Sequence, residues 1–600
     1  MQHDPVPARR SRAFIVLVAL LQGGLLYLAQ WGQAQGWWPF ASLPGRVCWY
    51  TLVLAVPTML TMSVIELRDR RLWQHVGLLL ALLAPLAAWT GWSASGAPDV
   101  VESAVLGPFI QSVVVLLFVV LPWLQCRLAS GRWRAAYPAL FEHAWQNALT
   151  LALALLFTGI CWAVLGLWGK LFELVQVTFF RDLFRGEAFV HLATGTMAGL
   201  GILIGRTQQR PVQVARQILF AIFKGLLPLL AFIALLFAIS LPFTGLDSLW
   251  STRSAATLLV AVIALLVLFV NAVYQDGEGP RPYPAWLRRV VEAGLLALPA
   301  YGLLALYAMW LRIDQYGWTG QRVLAALIVL VAALYAFGYA LAVLRRHDAW
   351  LAPLRPVNMG MSLVLIALAA LVNSPLLDVH RIGAGSTASR LAASAPELDE
   401  DDLRYLRFDA GRRGHAALQE LAMLPAVAGD AQARARVERM LARTTRWGSS
   451  DHLNEVSPAP DLDTLRQQIV PVAGSADADA SWWEAVLARK VSALTCLGRG
   501  ADCLLLRRDF DGDGSDEVLL CSLGEGEFVS CILHARQDGR WQGAGQFSAW
   551  GEQTQAQLRA GEVELLQPRW PFVRIGDREP VHITPLSDSD FVVPPSSAQE

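Results

Sequence analysis

The chain has 600 residues, 55% of them hydrophobic and only 16% charged. That is too apolar for a soluble protein of this size and points to a polytopic membrane protein. Lysine plus arginine (49) balances aspartate plus glutamate (49), so no net field favours nucleic acid or an acidic substrate.

Crossing the hydrocarbon core takes about 20 mostly apolar residues in a helix. Eleven segments qualify, near residues 13–31, 49–65, 76–95, 106–125, 146–169, 187–205, 217–242, 255–275, 291–311, 323–344 and 357–375. The expected fold is therefore mainly α, a bundle of about 11 spans over residues 1–377. "RRSR" before the first run resembles a signal-peptide start, but the run is long and no small-x-small cleavage site follows, so an uncleaved helix is expected. Residues 170–186, more charged, read as an amphipathic helix at the membrane interface.

Orientation follows from arginine and lysine in the short loops. With the N-terminus cytoplasmic, eighteen arginines fall inside, from Arg9, Arg10 and Arg12 to Arg345, Arg346 and Arg355. Seven basic residues fall outside: Arg46, Lys170, Arg181, Arg185, Arg253, Arg312 and Arg322. An odd number of spans then leaves the C-terminus and the tail outside the cytoplasm.

After Leu377 the sequence turns polar. A helical segment is expected over 378–447, a Ser-, Pro- and Asp-rich linker over 448–480, and an α+β region rich in hairpins over 481–600. "CLLLRR", "EVLLCSL", "FVSCILHAR" and "WQGAGQFS" read as strands, with turns at "DFDGDG", "GEGE" and "QDGR".

Three stretches occur together: "YQDG" (Tyr274–Gly277), "RIDQYGWTGQR" (Arg312–Arg322) and "NSPLLDVHRIGAGSTASRL" (Asn373–Leu391). Over roughly residues 10–420 the chain resembles the bacterial membrane-protein family called domain of unknown function 4153, with "QYGWT" the most specific part and a departure at Leu377 and Asp378. The resemblance implies a polytopic inner-membrane protein with an extracytoplasmic tail, and no reaction. A shorter stretch, "DFDGDGSDE" before "VLL", is similar to the calcium loops of FG-GAP repeats.

The loop has the chemistry of a hard-cation site, which wants six to eight oxygens. Asp509, Asp511 and Asp513 stand at alternate positions, Gly514 at the bend, Ser515 offers a carbonyl, and Glu517 closes the set. Leu520 at the twelfth position excludes an EF-hand, so Ca2+ is expected as a structural ion stiffening one hairpin; the bland alternative is an Asp/Gly turn without an ion. Cys496, Cys503, Cys521 and Cys531 allow three disulfide pairings outside the cytoplasm. Cys521 and Cys531 flank the "GEGE" turn near facing hairpin positions, and Cys496 with Cys503 then closes a short loop.

Within the spans, "GTMAGLGILIG" (Gly195–Gly205) has a nucleotide-fold spacing, but it lies inside a span, where small residues let helices approach closely. Lys224, His191 and Glu292 sit towards span ends, so no mid-depth carboxylate marks a proton path. Arg312, Asp314, Tyr316 and Trp318 cluster at the outer surface, either as an interfacial belt with an ion pair or as a contact site for the tail or an envelope ligand. No His-Glu-x-x-His, Gly-x-Ser-x-Gly or phosphate loop is present. The expected function is non-enzymatic: envelope sensing, scaffolding or partner binding in contact with the lipid bilayer and an envelope protein or ligand, without nucleic acid. The alternative is a transporter or lipid-handling protein with a path between the helices.

Overall fold

The computed structural model describes residues 8–95, 102–245, 254–277, 281–345, 350–395, 397–443, 446, 462–488, 496, 502–524, 528–537, 539–551 and 553–565. Two compact units divide it, residues 1–446 and 447–600.

The first unit contains eleven helices long and apolar enough to cross a membrane. They are α1 (Arg9–Ala34), α2 (Leu43–Ser63), α3 (Arg70–Ala94), α4 (Glu102–Ser130), α5 (Tyr137–Leu174), α7 (Glu187–Thr207), α8 (Gln209–Thr244), α9 (Ala255–Tyr274), α10 (Ala285–Tyr316), α11 (Gly320–Leu344) and α12 (Leu354–Leu371). Each overlaps one of the eleven apolar runs. The charged stretch 170–186 does not form one amphipathic helix. Its first part continues α5, the backbone turns at Gln176, and a short helix α6 (Phe179–Arg185) folds back, setting Phe180 tilted and Phe184 edge-on against Trp168.

The glycine-rich stretch of α7 is a packing seam. A Cβ on Gly201 would lie 2.7 Å from Ala154 Cα of α5, and one on Gly195 would lie 2.5 Å from Ala19 O of α1. Only a missing side chain lets three helices meet this closely. Trp162 Nε1 donates to Thr194 Oγ1 at 3.1 Å, carrying the same antiparallel register further along α5 and α7.

Apolar clusters fill the interior. One gathers Leu227, Leu259, Leu266, Leu295 and Leu298 from α8 to α10; another gathers Leu83, Leu86, Phe109 and Leu116 from α3 and α4. In lipid, polar side chains between helices act as ties. Asn358 of α12 is such a tie: its Nδ2 donates to Asn271 Oδ1 (2.6 Å) and Tyr137 Oη (3.2 Å), and its Oδ1 accepts from Tyr339 Oη (2.9 Å).

Beyond a 3-10 turn at Pro375–Leu377, five helices pack together with the spans: α13 (Val379–Ser394), α14 (Glu400–Phe408), α15 (Gly411–Met423), α16 (Pro425–Ala428) and α17 (Ala431–Ala442). Leu391, Leu403, Leu406, Phe408, Leu418 and Val437 form their own buried core. The expected helical segment thus closes onto the membrane unit.

The second unit is built on a five-stranded sheet in the order β1 (Ile469–Pro471), β2 (Cys503–Arg508), β3 (Glu517–Leu523), β4 (Val529–Gln537), β5 (Arg540–Ala549). β1 pairs parallel with β2, and the rest form an antiparallel meander. Strand alternation splits the buried residues between two faces. Leu505, Val518 and Leu520 meet α18 (Leu462–Gln468) and α19 (Ala480–Leu487) through Leu465, Trp482 and Val486. Leu504, Leu519 and Cys521 on the other face meet Leu558 of α20 (Thr554–Arg559).

This corrects the expected linker over 448–480. Residues 448–461 lie outside the described residues, but 462–480 are not a linker: Leu465 and Ile469 are buried in the sheet's core. The Ser-, Pro- and Asp-rich composition that reads as linker ends near 461, and Val472 and Ala478 in the segment beyond it are buried as well.

Replacing Gly201 with leucine should force α5 and α7 apart and lower the thermal midpoint of the detergent-purified protein by an overpacking cost of a few kcal/mol. Gly159→Leu, where a Cβ meets nothing within 4 Å, should leave the midpoint unchanged.

Candidate functional site

α10 ends at Tyr316 because Gly317 adopts φ +69°, a left-handed conformation that favours glycine. Such a turn leaves carbonyls and amides without helical partners, and inside an interface each must find another. Arg322 Nη1 donates to Tyr316 O (2.7 Å) and Gly317 O (2.9 Å), and Arg390 Nη1 donates to Tyr316 O (2.6 Å). Ser386 Oγ accepts from Trp318 N (3.1 Å), and Tyr405 Oη accepts from Gly320 N (2.7 Å).

Ser386 and Arg390 belong to α13, and Tyr405 to α14. Close approach needs Gly383, where a Cβ would lie 2.6 Å from Gly320 N and 3.0 Å from Thr319 C. Arg390 is itself held by Asp402 at 2.5 Å. Of the predicted contact residues, Arg312, Asp314, Tyr316 and Trp318 all have exposed side chains. What the tail helices grip is the backbone of 316–320. The loop meets the tail helices through backbone groups, which side-chain reading does not reveal.

A second contact lies at the end of α3. Asp378 Oδ1 accepts from Arg381 N (3.0 Å), starting α13, while its Oδ2 accepts from Arg413 Nε of α15 (3.0 Å). Arg412 Nε donates to Ser95 O (3.1 Å) and lies 4.6 Å from the Trp92 ring centre, with Arg413 5.0 Å from the same ring. Arginine over tryptophan is a favourable cation–π pairing. Beneath it a small polar cavity is lined by Trp89, Ser93, Phe109, Asn373, Asp378 and His380. Ser93 Oγ and His380 Nδ1 are buried there without a protein partner. Burial holds the His380 imidazole below its ordinary 6.5, against the opposing pull of Asp378, while burial pushes the Tyr405 phenol up to about 12.

Another polar cavity lies among the ends of α2, α4, α5 and α7, lined by Ser63, Gln125, His143, Asn147, Thr150 and Arg206. Gln125 and Asn147 exchange two amide hydrogen bonds at 3.0 and 2.8 Å. Both cavities, and the Asn358 tie, escape a reading based on motifs. Their only signal is an amide or hydroxyl interrupting an apolar run.

In the second unit, the loop between β2 and β3 brings ligand oxygens of Asp509, Asp511 and Glu517 within 4.8 Å of one another. Asp509 turns the loop by accepting from Gly512 N (2.6 Å) and Gly514 N (3.0 Å). Asp513 stays outside that trio, its Oδ1 accepting from Ser515 N at 2.7 Å. Glu517, only 4% exposed, accepts from Phe510 N at 2.7 Å. Burial first, then the three aspartates, pushes its carboxyl above the ordinary range. Cys496 with Cys503 and Cys521 with Cys531 stand at disulfide distance, S–S 2.11 and 2.08 Å, the pairing the hairpin spacing favours.

Eleven apolar helices and an internally bonded set of polar ties define the chain as a polytopic membrane protein, since only structures that satisfy their own backbone can cross lipid. Residues 50–413 match the family model described as domain of unknown function (DUF4153), and the chain belongs to that family. The match runs from α2 to Arg413, so both contacts of the tail helices fall within it. No curated protein matches the chain, and no solved structure does.

Acidification tests the second contact. His380 is neutral when docked, so its contribution is present above about pH 6.5 and is lost as pH falls below that value. Amide exchange in α13 should therefore accelerate between neutral pH and pH 5 after correction for intrinsic rates, and His380→Phe should flatten that dependence.

Proposed function

We propose that this chain is an inner-membrane protein with a periplasmic tail that senses, scaffolds or binds an envelope partner, without catalysis of its own. The observation that carries this reading is the grip of α13 and α14 on the backbone of 316–320, because it couples anything that moves the tail helices to α10 and α11. The loop charge bias, eighteen basic residues against seven, supports the placement. So do two disulfide pairs in the tail, which persist in oxidising compartments. A path between the helices has less support: the two polar cavities lie at opposite helix ends, and mid-span side chains such as Leu83 and Leu116 are fully buried in apolar contact.

The loop at 509–517 takes Ca2+ in this reading. Three carboxylates crowd together, and one of them is buried, so a bound cation would relieve their repulsion. The ion's task would be to hold one hairpin rigid.

Two experiments check this. A periplasm-dependent reporter fused after Arg446 should be active and a cytoplasm-dependent one silent; the reverse pattern would overturn the placement of the tail. For the ion, Asp509→Ala with Asp511→Ala should lower the unfolding midpoint seen by Trp482 and Trp483 more when Ca2+ is supplied than in chelator. An equal loss in chelator would remove the ion from the account. In chelator, the raised carboxyl of Glu517 lends stability below about pH 4.5 that is lost as pH rises through its folded value; Glu517→Gln should erase that slope.

A further inference from the structure

The polar cavity among the ends of α2, α4, α5 and α7 has a volume of about 50 Å3. That is several times the roughly 10–15 Å3 that one water needs. The hydrogen-bond acceptors around it are engaged. Gln125 Oε1 accepts from Asn147 Nδ2 (2.8 Å), and Asn147 Oδ1 accepts from Gln125 Nε2 (3.0 Å). The carbonyls at the end of α2 are engaged as well. Thr61 O accepts from Arg206 Nη1 (2.7 Å), Met62 O from Gln125 Nε2 (3.1 Å) and Ile65 O from Ser11 Oγ (2.7 Å). Among the described residues, no aspartate or glutamate lines the cavity.

Donors, by contrast, are left over. Thr150 is only 1% exposed, and its Oγ1 is buried with no hydrogen-bond partner. Asn147, 3% exposed, gives one Nδ2 hydrogen to Gln125 and has no described acceptor for the other. These two residues stand three apart on one face of α5. Arg206 of α7 adds a permanent positive charge, oriented by its bond to Thr61 O. A wall of donors with its acceptors engaged fits a ligand that only accepts, which is an oxyanion. The donors come from two helices, so the ligand needs oxygens pointing in more than one direction. A tetrahedral phosphate supplies them, whereas a planar carboxylate does not. The apolar run of α5 begins near Asn147, so a bilayer brings its headgroup phosphates to the level of this cavity.

We propose that this cavity binds a phosphate group through Asn147, Thr150 and Arg206.

The test uses the full-length protein, stripped of lipid in detergent. In one arm, inorganic phosphate is titrated by calorimetry at constant ionic strength. In the other, phosphatidylglycerol is added and the retained lipid is counted by native mass spectrometry. Uptake in the first arm shows that free phosphate suffices, and uptake in the second alone shows that the headgroup is required. Thr150→Val keeps the shape of the side chain and removes the hydroxyl. It should weaken binding about tenfold or more, the worth of one hydrogen bond to an ion. The ligand-free thermal midpoint should stay the same or rise, because the deleted hydroxyl has no partner. Thr158→Val should bind like wild type, since Thr158 Oγ1 bonds Ala154 O at 2.8 Å and does not line the cavity. Arg206→Gln should abolish binding. It also removes the tie to Thr61 O, so Thr150→Val carries the test if that variant misfolds. Binding in neither arm would overturn the proposal, and so would wild-type affinity in Thr150→Val.

Discussion

A helix that ends on a left-handed glycine inside an interface leaves its last carbonyls needing donors. In this molecule those donors are Arg322 at the start of the next helix and Arg390, far later in the chain, while Ser386 and Tyr405 supply acceptors for the amides of the turn. Arg390 reaches Tyr316 O, Ser386 takes the Trp318 amide and Tyr405 takes the Gly320 amide. Much of the structure depends on that arrangement. The turn cannot move without breaking bonds to α13 and α14, and the part-buried Gly320 amide would lose its partner if those helices left. Membrane spans and tail helices are therefore one mechanical body over residues 1–446.

This gives physical meaning to two motifs that otherwise look unrelated. "QYGWTG" supplies the backbone, and "DVHRIGAGSTASR" supplies the grip. Asp378 starts the gripping helix and holds Arg413, Gly383 lets it come close, and Ser386 and Arg390 make the bonds. The two motifs are the two sides of one joint. At the neighbouring contact, Arg412 and Arg413 lie on Trp92 of α3, so the tail helices hold the spans at two separate places.

Much of the architecture is legible in the sequence because a membrane imposes it. An apolar run of about 20 residues has few alternatives in lipid, and length and hydropathy locate all eleven spans. The glycines of α7 also read correctly as packing, since a dinucleotide site needs a strand that a span cannot provide. The joint itself is only half legible. The sequence points to 312–318 as a contact region, but it draws attention to side chains that remain exposed. Backbone atoms make the contact, and no residue type marks a carbonyl as the functional group. The strand-rich end of the tail is legible from alternation and turn residues, whereas 462–471 reads as linker because two buried side chains are too few to set a period. Spacing alone places Asp513 among the loop ligands, whereas the carboxylates that come together are those of Asp509, Asp511 and Glu517.

The joint makes one demand that can be measured directly. Hydrogen exchange on the full-length protein should show residues 317–323 and α13 opening as a single unit. Tyr405→Phe with Arg390→Ala should raise exchange in both segments by the same factor while leaving α7 and α9 protected. If the double variant loosens α13 but the 317–323 amides keep their wild-type protection, the tail helices only rest on the spans and the account is wrong.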